Sequence, residues 1–206
     1  MDKRAYFSIT RNKNGVRKQI IAQRVELSAS KVRAKSLAIT KKIIGSSIFS
    51  TGNRVSLYLP IKNEVETHDI INFFVEAGVE VYLPKYLKET DEYQLARFRG
   101  WGDLKEGPLG ILEPKSGGMI DTGKIDLAFF PGVAFDKNGV RLGYGKGVFD
   151  TLFAKSKAVR VGLAYELQIV DVIPRENHDL KMDFVVTEER VLDFIDLGSK
   201  NEVVNG

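Results

Sequence analysis

The sequence predicts an α/β protein built on a mostly parallel sheet with helices on both faces. Three observations carry this. Short apolar segments of strand character alternate with segments of helical period. The run Ile125-Asp-Leu-Ala-Phe-Phe130 is apolar almost throughout, as in a strand covered on both sides. No repeat at a period of roughly 20 to 50 residues points to a solenoid or propeller instead. With 206 residues the chain can bury a full core. A single domain over residues 1–206 is expected, with a basic helical segment, 1–45, packed on the α/β core.

Each element has its local reason. Val16, Ile20, Ile21, Val25 and Leu27 approximate one face of a first helix. Ser28 or Ser30 can cap a second, carrying Val32, Leu37, Ile43 and Ile44 and ended by Gly45. Val55, Leu57 and Leu59 alternate with Ser56 and Tyr58 as a strand that Pro60 stops. Thr67 caps a helix with Ile70, Ile71 and Phe74, ended by Gly78. Val79 to Leu83 is a second strand, closed by Pro84. From Lys85 to Gly118 periodicity is weak, with Tyr93, Leu95 and Arg97 alternating as an edge strand. After the apolar strand come a glycine-rich stretch and a helix with Phe149, Leu152 and Phe153 inward. Strands at Val159 to Leu163 and Phe184 to Val186 complete the pattern.

Composition removes whole classes of chemistry. There is no cysteine, which excludes disulfides, thiolate catalysis, zinc fingers and iron–sulfur clusters. No apolar run approaches the roughly 18 residues of a membrane span, and Met1-Asp2-Lys3-Arg4 leads into no apolar signal core. A cytoplasmic protein without a membrane partner is expected. Charge is uneven: residues 1–42 hold twelve Lys or Arg against only Asp2 and Glu26, although the whole chain carries just +4. Such a segment attracts phosphates, carboxylates or nucleic acid, and a solvated helix face has the same composition. Tyr6 and Phe7 are its only aromatics, too few for base stacking, so no nucleic acid partner is expected.

The segment from Pro131 to Asp150 carries the most chemistry. Glycines at 143, 145 and 147 let the backbone turn through positive φ and present successive N–H groups to an anion; a following helix start, Arg141 and Lys146 add positive charge. The spacing is neither a P-loop, because Gly147 and Val148 follow Lys146, nor a dinucleotide fingerprint, because position 148 is Val. A tight turn between two apolar runs is the plain alternative. Asp150, in the first turn of the helix, suits either a cap or a Mg²⁺ beside phosphate, and Asp183 is a candidate second acid. Glu64 and Glu66 follow the first strand at its carboxyl end, where open α/β sheets bind ligands; two solvated loop acids fit equally. His68 and His178 form no metal-binding pair.

Taken in order, Lys13 to Arg17, Tyr58-Leu59-Pro60 with Asn63 to Thr67, Gly110-Ile-Leu-Glu-Pro114, Pro131 to Asp150, and His178-Asp179 through Asp183 resemble the 5-formyltetrahydrofolate cyclo-ligase family, also called 5,10-methenyltetrahydrofolate synthetases. The resemblance implies a NagB/RpiA/CoA-transferase-like fold and ATP-driven closure of 5-formyltetrahydrofolate to 5,10-methenyltetrahydrofolate with Mg²⁺ present. It implies that Lys13, Asn14, Gly15, Val16 and Arg17 contact ATP. Arg141, Leu142, Gly143, Tyr144, Gly145, Lys146, Gly147, Val148 and Phe149 would wrap its phosphates, with Arg141 and Lys146 catalytic. Leu59 and Glu64 would hold the folate, Tyr144 to Val148 would touch both substrates, and Asp150 and Asp183 would serve the metal. A monomer is expected. Val148 and Phe149 depart from the tyrosines frequent in the family. The rival readings are a relative that binds folate or nucleotide without turning it over and a sugar-phosphate isomerase on the same fold; the second needs neither ATP nor an early basic arm.

Overall fold

The computed structural model describes residues 12–49, 52–176 and 179–195. The start of the basic segment, His178 and the C-terminal residues 196–206 lie outside them. Asn12 opens α1 (Lys13–Val25) by accepting the Gly15 N–H at 2.8 Å. Ser28, rather than Ser30, opens α2 (Ala29–Ile44), and Gly45 closes it. The buried faces are not the purely apolar ones expected. α1 buries Val16, Ile20 and Arg24 and exposes Val25; α2 buries Ser36 and Thr40 with Val32, Ile39 and Ile43, and exposes Leu37 and Ile44. Polar groups enter these faces because they are paired: Ser36 Oγ lies 3.0 Å from the Glu66 N and 3.1 Å from the Tyr165 hydroxyl, and Thr40 donates to Ser36 O.

β1 (Arg54–Ser56) is shorter than expected, although the Leu57 N–H still donates to Tyr82 O. Thr67 precedes α3 (His68–Glu76), but its hydroxyl donates to Tyr58 O at 2.5 Å instead of capping the helix. Gly78, at φ +76°, turns the chain into the next strand. That strand, β2 (Glu80–Leu87), runs through Pro84 rather than stopping there. The reason is positional. Residue 84 faces the β1 side, as residue 82 does, and β1 has already ended, so no N–H is missed; the partner on the other side is β3 (Glu92–Arg97). β4 (Leu104–Glu106) and β5 (Leu112–Pro114) form a hairpin against β2, where Glu113 accepts the Tyr86 N–H at 3.0 Å. β6 (Met119–Ile120) pairs with β3, so β3 is not the edge strand its alternation suggested.

β7 (Leu127–Pro131) is the apolar strand, and a hairpin of β8 (Ala134–Asp136) and β9 (Arg141–Leu142) follows. α4 (Val148–Leu152) has only five residues and leads to β10 (Val159–Leu163). β11 (Ile169–Val170), β12 (Phe184–Val186) and β13 (Val191–Asp193) complete the order. The main sheet runs β13-β12-β10-β7-β1-β2-β3-β6, parallel from β12 to β2 and antiparallel at both flanks. A small sheet, β11-β8-β9, lies beside it.

The pleat of β7 divides the core. Leu127 and Phe129 join α2 and α3 on one face; Ala128 and Phe130 join Phe135 and Phe153 on the other. Helices therefore lie on both faces, but the second is covered by the short α4 together with the small sheet. α1 packs on that small sheet, Val16 and Ile20 against Val133, Ala134 and Leu142. Phe135 fixes the sheet to β10: its ring occupies the space beside Gly132 and Gly162, where an added Cβ on either glycine would lie 2.5 Å from ring carbons. Only glycine admits so close an approach.

Candidate functional site

The carboxyl end of the parallel sheet opens into a cleft of about 470 Å³ between α1, the glycine-rich loop and a wall carrying Pro174, Glu176 and Asp179. From α1 it receives Asn12, Lys13, Asn14 and Arg17; from the loop Arg141, Leu142, Gly143, Gly145, Gly147 and Asp150; from the far wall Pro174, Glu176 and Asp179. Lys13 Nζ reaches Asp179 at 2.8 and 3.0 Å and Glu176 at 3.2 Å. Burial works against this ammonium, but its bonds to the two carboxylates prevail and hold its pKa above the ordinary value. Arg17 donates from Nε to Gly143 O at 2.8 Å and from Nη1 to Asn14 at 2.7 Å. α1 is thus fastened to the loop it faces.

The loop is shaped by a buried acid that its sequence did not single out. Asp136, 1% exposed, accepts the N–H groups of Asn138 and Val140 through Oδ1 and that of Ile173 through Oδ2. This closes the β8–β9 turn and holds the next wall against it. Gly145 and Gly147 take φ of +99° and +66°, as expected. Gly143 does not; its role is space, since a Cβ there would come within 3.0 Å of Arg141 Nη1. A five-residue α4 has little macrodipole, so the positive charge set against Asp150, Glu176 and Asp179 in the cleft comes from Lys13, Arg17 and Arg141 rather than from a helix start.

Arg141 is 5% exposed, donates to Pro131 O at 3.0 Å and to Asp150 Oδ2 at 2.7 Å, and lies over the rings of Phe130 and Phe149. Its buried Nε has no hydrogen-bond partner among the described residues. Lys146 is exposed and does not line the cleft. Two expected ATP contacts turn elsewhere. Val16 is buried against the small sheet, and the Phe149 ring packs on Phe130 and Phe153, 5.6 and 6.3 Å between centroids. Neither Gly15 nor Val148 lines the cleft.

On the other side of Tyr144 lies the loop after β1. Lys62 and Asn63 both take positive φ, 48° and 57°, which turns Glu64 inward. The Glu64 carboxylate is 5% exposed and accepts the Ile61 N–H at 3.0 Å, and the Tyr165 hydroxyl donates to Glu64 O. Burial pushes this carboxyl up to about 7, against the opposing pull of the Ile61 N–H, Arg24, Arg141 and Lys62. Leu59 is half-buried and packs against the core. Glu66 is the solvated loop acid, paired with Arg33 at 3.3 Å. His68 stacks on Trp101, 4.9 Å between ring centroids.

Between the two halves sits a residue the sequence reading missed. Arg24 has no exposed surface, donates to Lys62 O and Gly132 O at 3.1 Å, bonds the Tyr144 hydroxyl, and lies 5.6 Å from the Tyr144 ring centroid. Its signal was present: Val16, Ile20 and Arg24 are spaced four apart, which puts the arginine on the buried stripe.

The expected pairing of Asp150 with Asp183 does not occur. Asp183 precedes β12 at the amino end of the parallel strands, where its Oδ2 accepts the Arg160 N–H at 2.8 Å and fixes the start of β10. Asp150 is held at the other end of the sheet by Arg141, whose partner Pro131 ends β7. The acids that do share the cleft with Asp150 are Glu176 and Asp179, the latter four positions before Asp183 in the same motif. Among the described residues no group of three acidic or histidine side chains could hold a metal by itself.

A family model described as the 5-formyltetrahydrofolate cyclo-ligase family matches residues 9–188. The 5-formyltetrahydrofolate cyclo-ligase of Mus musculus is 31% identical over 198 residues, 90% of this chain and 98% of the relative. The enzyme of that name from Haemophilus influenzae is 30% identical, covering 84% and 96%. The solution structure of Aquifex aeolicus 5,10-methenyltetrahydrofolate synthetase superposes with a TM-score of 0.82 at 32% identity, over 94% of this chain and 96% of that one. A Mycoplasma pneumoniae synthetase of the same name shares the fold, with a TM-score of 0.70 at 24% identity.

Proposed function

The chain belongs to the 5-formyltetrahydrofolate cyclo-ligase family, and on that premise we propose that it closes 5-formyltetrahydrofolate to 5,10-methenyltetrahydrofolate at the expense of ATP, releasing ADP and phosphate. The observation that carries the reading is the convergence of Lys13, Arg17 and Arg141 on one cleft whose glycine loop is tied, through Tyr144 and Arg24, to the loop of the buried Glu64.

The N5-formyl group is amide-like, and its oxygen leaves poorly. Transfer of the γ-phosphoryl to that oxygen gives an iminium phosphate; N10 then attacks the formyl carbon, the C–O bond breaks, and phosphate departs as the ring closes. The N10 proton is given up to water. Both nucleophiles are atoms of the substrate, so the protein's part is positioning and charge neutralisation. In this assignment Lys13, Arg17 and Arg141 bind the phosphates, the Gly143–Gly147 backbone admits them closely, and Lys146, free of the wall, folds onto the transferring phosphoryl. Glu64 accepts the pterin N–H groups, with Leu59 against the ring.

Mg²⁺ keeps most of its waters and takes one or two protein carboxylates beside phosphate oxygens. The donors in this cleft suit that requirement, and Asp150 and Asp179 would hold the ion, which when bound neutralises triphosphate charge. Residues 1–206 act as a single domain in this reading, and the protein works as a monomer in the cytoplasm. Among the described residues no helix is long and apolar enough to cross a membrane.

The test mixes the protein, ATP, Mg²⁺ and 5-formyltetrahydrofolate and follows methenyl absorbance. Product that needs both ATP and Mg²⁺ is expected. A folded protein that forms none would overturn the assignment.

A further inference from the structure

Arg24 is an unusual residue to place in a core. A guanidinium loses several kcal/mol of hydration on full burial, and apolar side chains of similar volume generally fill such a position at least as well. Stability therefore gives no reason for an arginine here. Its three partners give one, because each belongs to a different segment of the proposed site: Lys62 O in the Glu64 loop, Gly132 O in the turn after β7, and the Tyr144 hydroxyl in the glycine loop. Asn63 reinforces the first attachment by donating to Arg24 O and Leu27 O at 3.3 and 3.1 Å. Seven residues earlier on the same helix, Arg17 holds Gly143 O, the neighbour of Tyr144. Seven residues are two turns, or about 10.5 Å along a rigid axis.

We propose that Arg24 is a positioning residue of the cyclisation, using α1 as a spacer to fix the glycine loop against the Glu64 loop at the point where the two substrates meet. The proposal rests on the function given above. Since the reacting atoms all come from the substrates, the distance between the phosphate-binding and pterin-binding loops is what the protein contributes, and α1 sets it. Arg24 also bears on the charge of Glu64. The groups facing that carboxylate are Arg24 from α1, Arg141 from β9, Lys62 from its own loop, and the phenols of Tyr58 and Tyr144. Removing Arg24's charge leaves Arg141 and Lys62 as cations, and Glu64 takes up its proton at higher pH.

The experiment uses the full chain as wild type, Arg24→Lys, Arg24→Met, Tyr144→Phe and the double variant Arg24→Lys/Tyr144→Phe. It reads kcat, KM for each substrate, the pH profile and thermal unfolding. Arg24→Met is expected to lower kcat/KM for 5-formyltetrahydrofolate about tenfold or more, as misplaced reactants do, with a smaller change in the KM for ATP. Its acid limb moves to higher pH, whereas Arg24→Lys leaves the limb in place and recovers part of the rate. A folded Arg24→Met with kcat within twofold of wild type and an unmoved limb would overturn the proposal, as would equal losses in the Lys and Met variants. If Arg24→Met does not fold, the double variant decides: a loss no greater than the worse single variant supports a shared contact, and losses that multiply refute one. A wild type that makes no methenyl product sinks the cyclo-ligase function itself; an active wild type with indifferent Arg24 variants sinks only this proposal.

Discussion

Glu64→Gln is expected to make the protein more stable with rising pH relative to wild type, while weakening folate binding. The buried carboxyl holds its proton up to about 7, against an ordinary 4.5. Between those values the folded state keeps a proton that the unfolded state has released, so wild-type stability falls as pH rises through the window. The difference corresponds to roughly 3 kcal/mol, fully felt above pH 7 and absent below 4.5. Glutamine still accepts the Ile61 N–H but carries no charge, so its own contribution is constant across the range. The assay is urea unfolding of both proteins at intervals from pH 4.5 to 8.5, read as the difference in unfolding free energy. That difference should climb by roughly 3 kcal/mol toward the variant and level off above neutrality. In parallel, KM for 5-formyltetrahydrofolate should rise about tenfold or more, because charge-assisted hydrogen bonds are lost. A difference curve flat across pH would refute the claim that this carboxyl is driven into a desolvated site.

Lys146→Ala should lower kcat more than about tenfold with an unchanged melting temperature, since the side chain is exposed and its assigned work lies on the transferring phosphoryl; steady-state rates beside a thermal melt check it. Gly145→Ala places a Cβ on a backbone at φ +99°, 3.6 Å from the Arg17 guanidinium carbon. The expected cost is about 1–3 kcal/mol of stability together with a raised KM for ATP, measured by denaturation and initial rates. Lys13→Met removes the cation shared by Asp179 and Glu176. It should raise the KM for ATP severalfold, and added salt should affect the variant less than the wild type in the same rate assay.

The parallel core was legible because its strands are buried on both faces. Apolar runs at β7, β10 and β12 have no competing reading, and their bounds agree closely with expectation. Pro84 misled because a proline's missing N–H matters only where a neighbour needs it, and that depends on where β1 ends in space. The glycine loop was readable from its own spacing, whereas which acids stand in the cleft with Asp150 was not. Asp179 and Asp183 are both acids in one short motif, and only the tie between Asp183 and the start of β10 tells them apart. Arg24 escaped notice because periodicity is judged on apolar residues, so a paired cation on the buried stripe is counted as surface.

The ring of Phe135 lies where side chains from Gly132 and Gly162 would project, and those glycines belong to segments thirty residues apart. The three positions can change only in concert. A methyl group at either glycine is admissible after Phe135 has shrunk, and a smaller residue at 135 leaves a hole until a glycine has grown. Because this lock seats the hairpin that delivers Arg141, drift at any one of the three would be felt first as a misaimed guanidinium, before any loss of fold. Close relatives should therefore carry the trio unchanged, and distant ones should have exchanged it as a set.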